Sequence, residues 1–256
     1  MKESLLVQAV GFPATLIHGD TIVLDRWLWL RRYLPPVAPH SKRLLDVGCG
    51  SGAFTIGAAL RGYKALGLSW DERNQRVAAE RAAICKAPLA EFDVLDVRHL
   101  DQRPDLREQY DVVVCCECIE HILDDRKLMV DMKNCLKPGG TLLLTTPNFN
   151  YKPITQGDNG PFLPIEDGGH VRRGYTRETL MDLCASAGLK VSHIEYCAGF
   201  FSQKITGLMR VAQGIHSVLG WALVLPLRPF PLLLDRWVNK LSRWPEFTIT
   251  LVAVKN

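Results

Sequence analysis

Leu44-Leu45-Asp46-Val47-Gly48-Cys49-Gly50-Ser51-Gly52-Ala53-Phe54 decides how this 256-residue chain is read. An apolar run ends in an acid, three glycines follow at alternate positions, and a helical pattern opens over 53–61. The sequence predicts strand, tight turn, helix. Glycine lets the backbone bend sharply and lets a ligand lie against it with no Cβ in the way. The N-terminus of the helix offers unpaired N–H groups to a polar ligand.

Two ligand classes use such a turn. A dinucleotide site needs G-x-G-x-x-G/A after a strand, and Gly48, Gly50 and Ala53 satisfy that spacing. The pattern Asp46-x-Gly48-x-Gly50-x-Gly52 also resembles the first motif of the class I S-adenosylmethionine-dependent methyltransferases. Charge separates the two. A carboxylate near the turn repels a pyrophosphate, whereas S-adenosylmethionine carries an ammonium and a sulfonium. A third reading is a tight strand–helix turn with no ligand.

Two more stretches carry the resemblance. In 110–122 the apolar run Val112 to Cys116 reads as a strand buried on both faces, and it breaks into Glu117, Glu120 and His121 at its carboxyl end, where open parallel sheets bind ligands. It is similar to a signature of the methyltransferase subgroup that includes the ubiquinone and menaquinone biosynthetic enzymes. Leu136-Lys137-Pro138-Gly139-Gly140 before the fifth strand is a second family marker, and its expected job is a turn.

The resemblance implies an α/β, doubly wound, Rossmann-like sheet of seven strands. The last, from Phe247 onward, runs antiparallel at the edge, with a hydrophobic helical insertion before it. It implies S-adenosylmethionine as cofactor, with Asp46, Gly48, Cys49, Gly50, Gly52, Val97 and Glu117 around it. The second strand, 64–68, ends at Ser69, where most relatives carry an acid for the ribose hydroxyls. The ribose contact therefore stays open between Ser69 and Asp71, and Asp71 reads equally as the cap of the next helix. Asp96 stands where relatives place an acid near the adenine amino group. If the methyl acceptor is a hydroxyl, His121 is the first candidate for base and His170 the second. Arg172 and Tyr175, after the Pro- and Gly-rich loop 148–170, are candidate substrate contacts, with structural roles equally open. No metal ligands are assigned.

Composition frames this reading. Hydrophobic content of 47%, charged content of 23% and a net charge of +4 are ordinary for a single globular domain. Eight cysteines, mostly inside apolar runs, read as reduced buried thiols. No signal peptide is expected at the N-terminus, which points to the cytoplasm. The motifs and basic tracks of nucleic-acid methyltransferases are not seen, so no nucleic-acid partner is expected.

Residues 1–40 form an N-terminal helical cap, with a helix over 25–34 that Pro35 and Pro36 stop. Trp27, Leu28, Leu30 and Leu34 pack on the sheet, or the helix closes over the ligand. The cofactor core is 41–197, and 247–256 is the final strand. Between them, 198–246 sets six cations against two anions, an excess equal to the net charge of the whole chain. Ile205, Leu208, Met209, Ala212, Ile215 and Leu219 fall on helical spacing. The apolar run 218–234 is broken by Arg228 and three prolines, so it does not read as a membrane span. Its expected roles are a cap over a lipophilic or lipid-linked acceptor, a homodimer contact, or peripheral contact with an anionic membrane surface. The rival functional classes are a non-catalytic S-adenosylmethionine-binding protein and a nicotinamide oxidoreductase.

Overall fold

The computed structural model describes residues 4–17, 20–215 and 217–256. The side chains of Val218 and Leu219, which enter the apolar pattern above, lie outside the described residues. Two short helices, α1 (Leu5–Val10) and α2 (Phe12–Thr15), precede α3 (Ile22–Tyr33). The core alternates β1 (Arg43–Val47), α4 (Ala53–Ala59), β2 (Lys64–Ser69), α5 (Glu72–Ile84), β3 (Ala90–Val94) and β4 (Tyr110–Cys116). It continues through α6 (Asp125–Cys135), β5 (Leu136–Pro147), α7 (Arg177–Ser186) and β6 (Leu189–Cys197). Then come α8 (Phe200–Ile215), α9 (Ser217–Val224), α10 (Pro229–Ser242) and β7 (Thr248–Lys255).

The strands form one seven-stranded sheet in the order β3-β2-β1-β4-β5-β7-β6, parallel except for β7. Successive side chains of a strand point to opposite faces, which is why the central strands are apolar throughout. Leu45, Val113, Cys115, Leu142 and Leu144 pack with Met129, Met132, Leu180 and Cys184 of α6 and α7. Leu44, Val112, Val114 and Leu143 pack on the other face with Trp27, Leu30, Leu34 and Ile56. The N-terminal helix α3 therefore packs on the sheet through Trp27 and Leu30, with Leu34 just after its end, while Leu28 is only half-buried.

Two expectations need correction. The last strand is antiparallel but not at the edge: β7 lies between β5 and β6, and β6 is the edge. The side chains explain it. Seven of the eight β7 residues are buried, as a central strand requires, whereas β6 exposes Lys190, Ser192 and His193. Residues 136–140 are also no separate turn. They open β5, with a register shift against β4 between Tyr110 and Val112.

The insertion is helical, as expected, but its apolar stripe is split. Ile205, Met209 and Ala212 of α8 are buried, and Leu208 and Ile215 are exposed. Arg210 of α8 bridges Asp20 and Asp158, each at 3.0 Å, and Thr206 contacts Thr21. No helix among the described residues is long and apolar enough to cross a membrane.

Candidate active site

A cavity of about 360 Å³ opens at the carboxyl ends of β1, β2 and β4, beside the point where the strand order reverses. Such a switch point leaves a crevice between neighbouring crossovers. Gly48, Gly50, Ser69, Asp96, Val97, Glu117 and His121 line it, together with Trp70, Asn74, Arg98, Cys118 and Glu166.

The glycine turn forms its floor. The N–H groups of Gly48 and Cys49 donate to the Leu68 carbonyl at 3.0 and 2.8 Å, which ties the turn to β2. Gly48 has φ +79°, and a Cβ there would lie 2.5 Å from Cys118 Sγ. Gly52, at φ +81°, starts α4 with a Cβ position already filled by Phe92 and Ala78. These two glycines let the turn pack closely on Cys118, Phe92 and Ala78, while Gly50, at φ +50°, has open space where a Cβ would stand and lines the cavity with bare backbone, which fits a ligand lying close against it.

Asp46, Cys49, Gly52 and Asp71 are not among the residues that line the cavity. Asp46 is buried behind the turn and accepts from Thr55 Oγ1 at 2.7 Å. Cys49 turns its sulfur toward Gln75. Asp71 caps α5, accepting from Arg73 N at 2.8 Å. A helix start claims this acid, and Ser69 is left at the cavity wall.

Burial raises the Asp46 carboxyl from 3.8 to about 6, and the Thr55 hydrogen bonds only partly oppose this. Its pKa in the fold thus lies above its unfolded value. The stability it contributes is full below pH 3.8 and is lost as pH rises through about 6. Asp46→Asn keeps an acceptor for Thr55 and cannot titrate. In urea unfolding, the variant is expected to gain on the parent between pH 4 and pH 7 by up to about 3 kcal/mol. A constant difference across that range would show that Asp46 does not titrate there.

Asp96 caps the 3-10 helix Val97–Gln102 and is clamped by Arg98, whose guanidinium holds the carboxyl below its ordinary value. Arg98 also reaches Glu166 at 2.7 Å, so the loop 148–170 is tied to the cavity rim. Glu117 stands at φ +50°, with one oxygen 2.7 Å from Arg26 and the other accepting from Thr145 at 3.0 Å. Glu120 lies fully buried beside it. Oε2 accepts from Thr146 at 3.1 Å, and Oε1 has no hydrogen-bond partner, its neighbour being His121 Nε2 at 4.0 Å. Burial raises both carboxyls, and the Arg26 charge opposes this at Glu117. Glu120, beside the Glu117 charge, is raised the further of the two.

His121 Nδ1 is 3.0 Å from the Gly169 carbonyl. A carbonyl can only accept, so Nδ1 carries the hydrogen and the lone pair of the neutral ring sits on Nε2. His170 stands edge-on to His121 with ring centroids 4.6 Å apart. Burial, then the neighbouring His121, lowers His170 to about 4, so it is neutral at physiological pH. His170 lines a second cavity of about 210 Å³ with Tyr151, Asp158, Phe162 and Phe247. Each of the two cavities is thus bordered by one ring of the histidine pair. Ligand atoms of Glu120, His121 and His170 lie within 4.8 Å of one another, and this is the group among the described residues that could hold a metal ion. Cys115 and Cys118 stand in C-x-x-C spacing, and both are free thiols.

Arg172 and Tyr175 do not line either cavity, and of their two expected roles the structure displays the structural one. Arg172 pairs with Asp125 and donates to the carbonyls of Ile122 and Leu123. Tyr175 is buried and donates to Asp125 at 2.8 Å. Together they clasp the segment after His121 to the start of α6.

Reading the sequence missed Arg26, Trp70, Asn74, Arg98 and Glu166. Trp70 carried a signal, because it directly follows Ser69 at the carboxyl end of a parallel strand. Arg26 and Glu166 arrive from distant segments and carried none.

A family model described as a methyltransferase domain matches residues 24–194, two thirds of the chain. A ubiquinone biosynthesis O-methyltransferase from Marinobacter nauticus is 35% identical over 162 residues, 62% of this chain and 68% of that protein. In solved structures, the [4+2]-cyclase SpnF superposes with a TM-score of 0.62 at 21% identity, over 91% of this chain and 81% of that one. The Haemonchus contortus phosphoethanolamine N-methyltransferase 2, in complex with S-adenosylmethionine, superposes with a TM-score of 0.59 at 19% identity, over 90% of this chain and 52% of that one. These structural likenesses concern the fold, which serves a cyclase as well as methyltransferases. The glycine cradle at the switch point, the methyltransferase-domain match and the sequence relative together make this chain a member of the class I S-adenosylmethionine-dependent methyltransferases.

Proposed function

We propose that the chain methylates a hydroxyl of a small lipophilic, lipid-linked acceptor, with His121 as the base. The observation that carries this reading is the histidine pair, one ring of which borders the glycine-floored cavity and the other the aromatic-lined second cavity. The cofactor lies on the glycine turn, with Ser69 and Asp96 at its nucleoside end and the Glu117 carboxylate near its ammonium. S-adenosylmethionine supplies a sulfonium methyl as the electrophile. The acceptor sits against Tyr151, Phe162 and Phe247 and directs its oxygen past His170 toward that methyl. His121 Nε2 takes the hydroxyl proton as the oxygen–carbon bond forms and the carbon–sulfur bond breaks. Gly169 holds the ring in the tautomer that can do so. Alignment of the three atoms and exclusion of water supply much of the rate.

The name of the Marinobacter nauticus relative supports O-methylation and a lipophilic acceptor. The Arg210–Asp158 pair supports it too, since it joins the apolar insertion to the wall of the second cavity. Of the partners that the composition of 198–246 allows, the arrangement of its helices favours a membrane surface over a second copy.

Calorimetric titration with S-adenosylhomocysteine and with NADH tests the cofactor. Assay of the protein with S-adenosylmethionine and alkylated catechols or phenols, read by mass gain of one methylene, tests the reaction. Binding of S-adenosylhomocysteine alone, with turnover of a phenolic acceptor, is the expected result. Binding without turnover of any hydroxyl acceptor would favour a non-catalytic S-adenosylmethionine-binding protein.

A further inference from the structure

Helix α10 is packed inside out. Its polar residues Asp235 and Asn239 face the protein and cap the start of α8. Asp235 accepts from Phe201 N at 2.6 Å and from Ser202 N at 3.2 Å. Asn239 Oδ1 accepts from Phe200 N at 2.9 Å. Carboxylate and amide oxygens suit the unpaired N–H groups of a helix start, so this orientation is fixed by hydrogen bonds. Among the described residues nothing covers the apolar stripe. Phe230, Leu233, Trp237 and Leu241, spaced for one helical face, are exposed by 45%, 68%, 68% and 84%. A stripe of large side chains left in water marks an interaction surface.

Charge identifies the partner. Arg236 and Lys240, one turn apart, run along one side of the stripe, and Arg243 follows at its end. None of the three has a carboxylate partner among the described residues. The one acid of α10, Asp235, is turned inward. A second copy packed on this face would bring cations together with no carboxylate of that face to meet them. An anionic bilayer answers both features: acyl chains take Phe230, Leu233 and Leu241, headgroup phosphates take the cations, and Trp237 sits at the boundary.

We propose that α10 lies on an anionic phospholipid surface as an interfacial helix, its 230–233–237–241 face in the acyl boundary. This deepens the membrane contact proposed above. It stands on the packing of α10 and is independent of the acceptor's chemistry, because its test reads binding and not turnover.

The test is flotation of the purified chain with vesicles of phosphatidylcholine, alone or with phosphatidylglycerol, at low and high salt. The chain is expected to float with the anionic vesicles, far less with the neutral ones, and to be released by salt. Leu233→Ser, Trp237→Ser and Leu241→Ser combined should abolish flotation. Arg236→Glu with Lys240→Glu should weaken anionic binding about fivefold or more per cation, the equivalent of about 1 kcal/mol each. These side chains are exposed, so both variants should melt like the parent by circular dichroism. Flotation unchanged in the apolar variant, or absent in the parent, would overturn the proposal. So would a parent dimer in sedimentation that the apolar variant dissociates, which would give the face to a second copy. Equal flotation with both vesicle types would overturn the role given to the cations.

Discussion

Replacing His121 with alanine is expected to lower kcat about 10²–10⁴-fold, the usual worth of a positioned general base, while S-adenosylhomocysteine affinity stays within a few-fold. The geometry gives the reason. Nδ1 is committed to the Gly169 carbonyl, so Nε2 has the free lone pair. His121 borders the cofactor cavity, and His170 borders the second one. His170 is the weaker candidate for base. Burial lowers it to about 4, so it binds a proton poorly at neutral pH. His170→Ala is therefore expected to raise KM for the acceptor and to change kcat by much less than His121→Ala. His121→Gln separates chemistry from shape, since it fills the space without a titrating nitrogen. It should resemble His121→Ala in kcat. Should His121→Gln keep full kcat, His121 only shapes the cavity. Should His170→Ala cost more in kcat than His121→Ala, the two roles are exchanged.

What could be read in advance follows from where the information lies. The glycine turn was legible because its chemistry belongs to the backbone, and three alternate glycines between a strand and a helix have few other uses. The central strands were legible because Val112 to Cys116 is apolar on both faces, which only a covered strand tolerates. The place of β7 was readable in principle: β6 carries Lys190, Ser192, His193 and Glu195, while 248–254 has no charge. Family expectation of an edge strand outweighed that contrast. Asp71 shows a different limit. An acid after a strand serves as ligand or as helix cap, and which it does depends on where the helix begins.

Contacts made across the fold left no local trace. Arg26 meets Glu117 from 91 residues away, and α3 presents Trp27 and Leu30 to the core with Arg26 next to them. The periodicity of α3 predicts the packing face and is silent about the cation beside it. For 198–246, spacing predicted apolar stripes but not the direction they face. In α10 the bond from Asp235 to the start of α8 decides that direction, and it reverses the usual sense.

Gly48→Ala is expected to weaken S-adenosylhomocysteine binding at least about 100-fold, the equivalent of about 2.7 kcal/mol. Two costs combine. Position 48 holds φ +79°, which an L side chain adopts at about 1–2 kcal/mol. The new Cβ would also stand 2.5 Å from Cys118 Sγ and 2.7 Å from Cys118 Cβ, distances that force one of them to move. Neither neighbour moves freely. Gly48 and Cys49 are held to Leu68 by two hydrogen bonds, and Cys118 follows Glu117, which is fixed by Arg26 and Thr145. The displacement must therefore fall on the cavity floor, where the ligand would lie. Cys118→Gly separates the two costs, because it removes the clash and leaves the strain. Gly48→Ala with Cys118→Gly should recover most of the affinity and remain about tenfold weaker than Cys118→Gly alone, the share of backbone strain. Full recovery would mean that the turn adapts to a side chain without strain. Parent-like binding by Gly48→Ala alone would remove the glycine turn from the cofactor site, because a floor displaced by the clash with Cys118 could not leave a ligand lying on it unaffected.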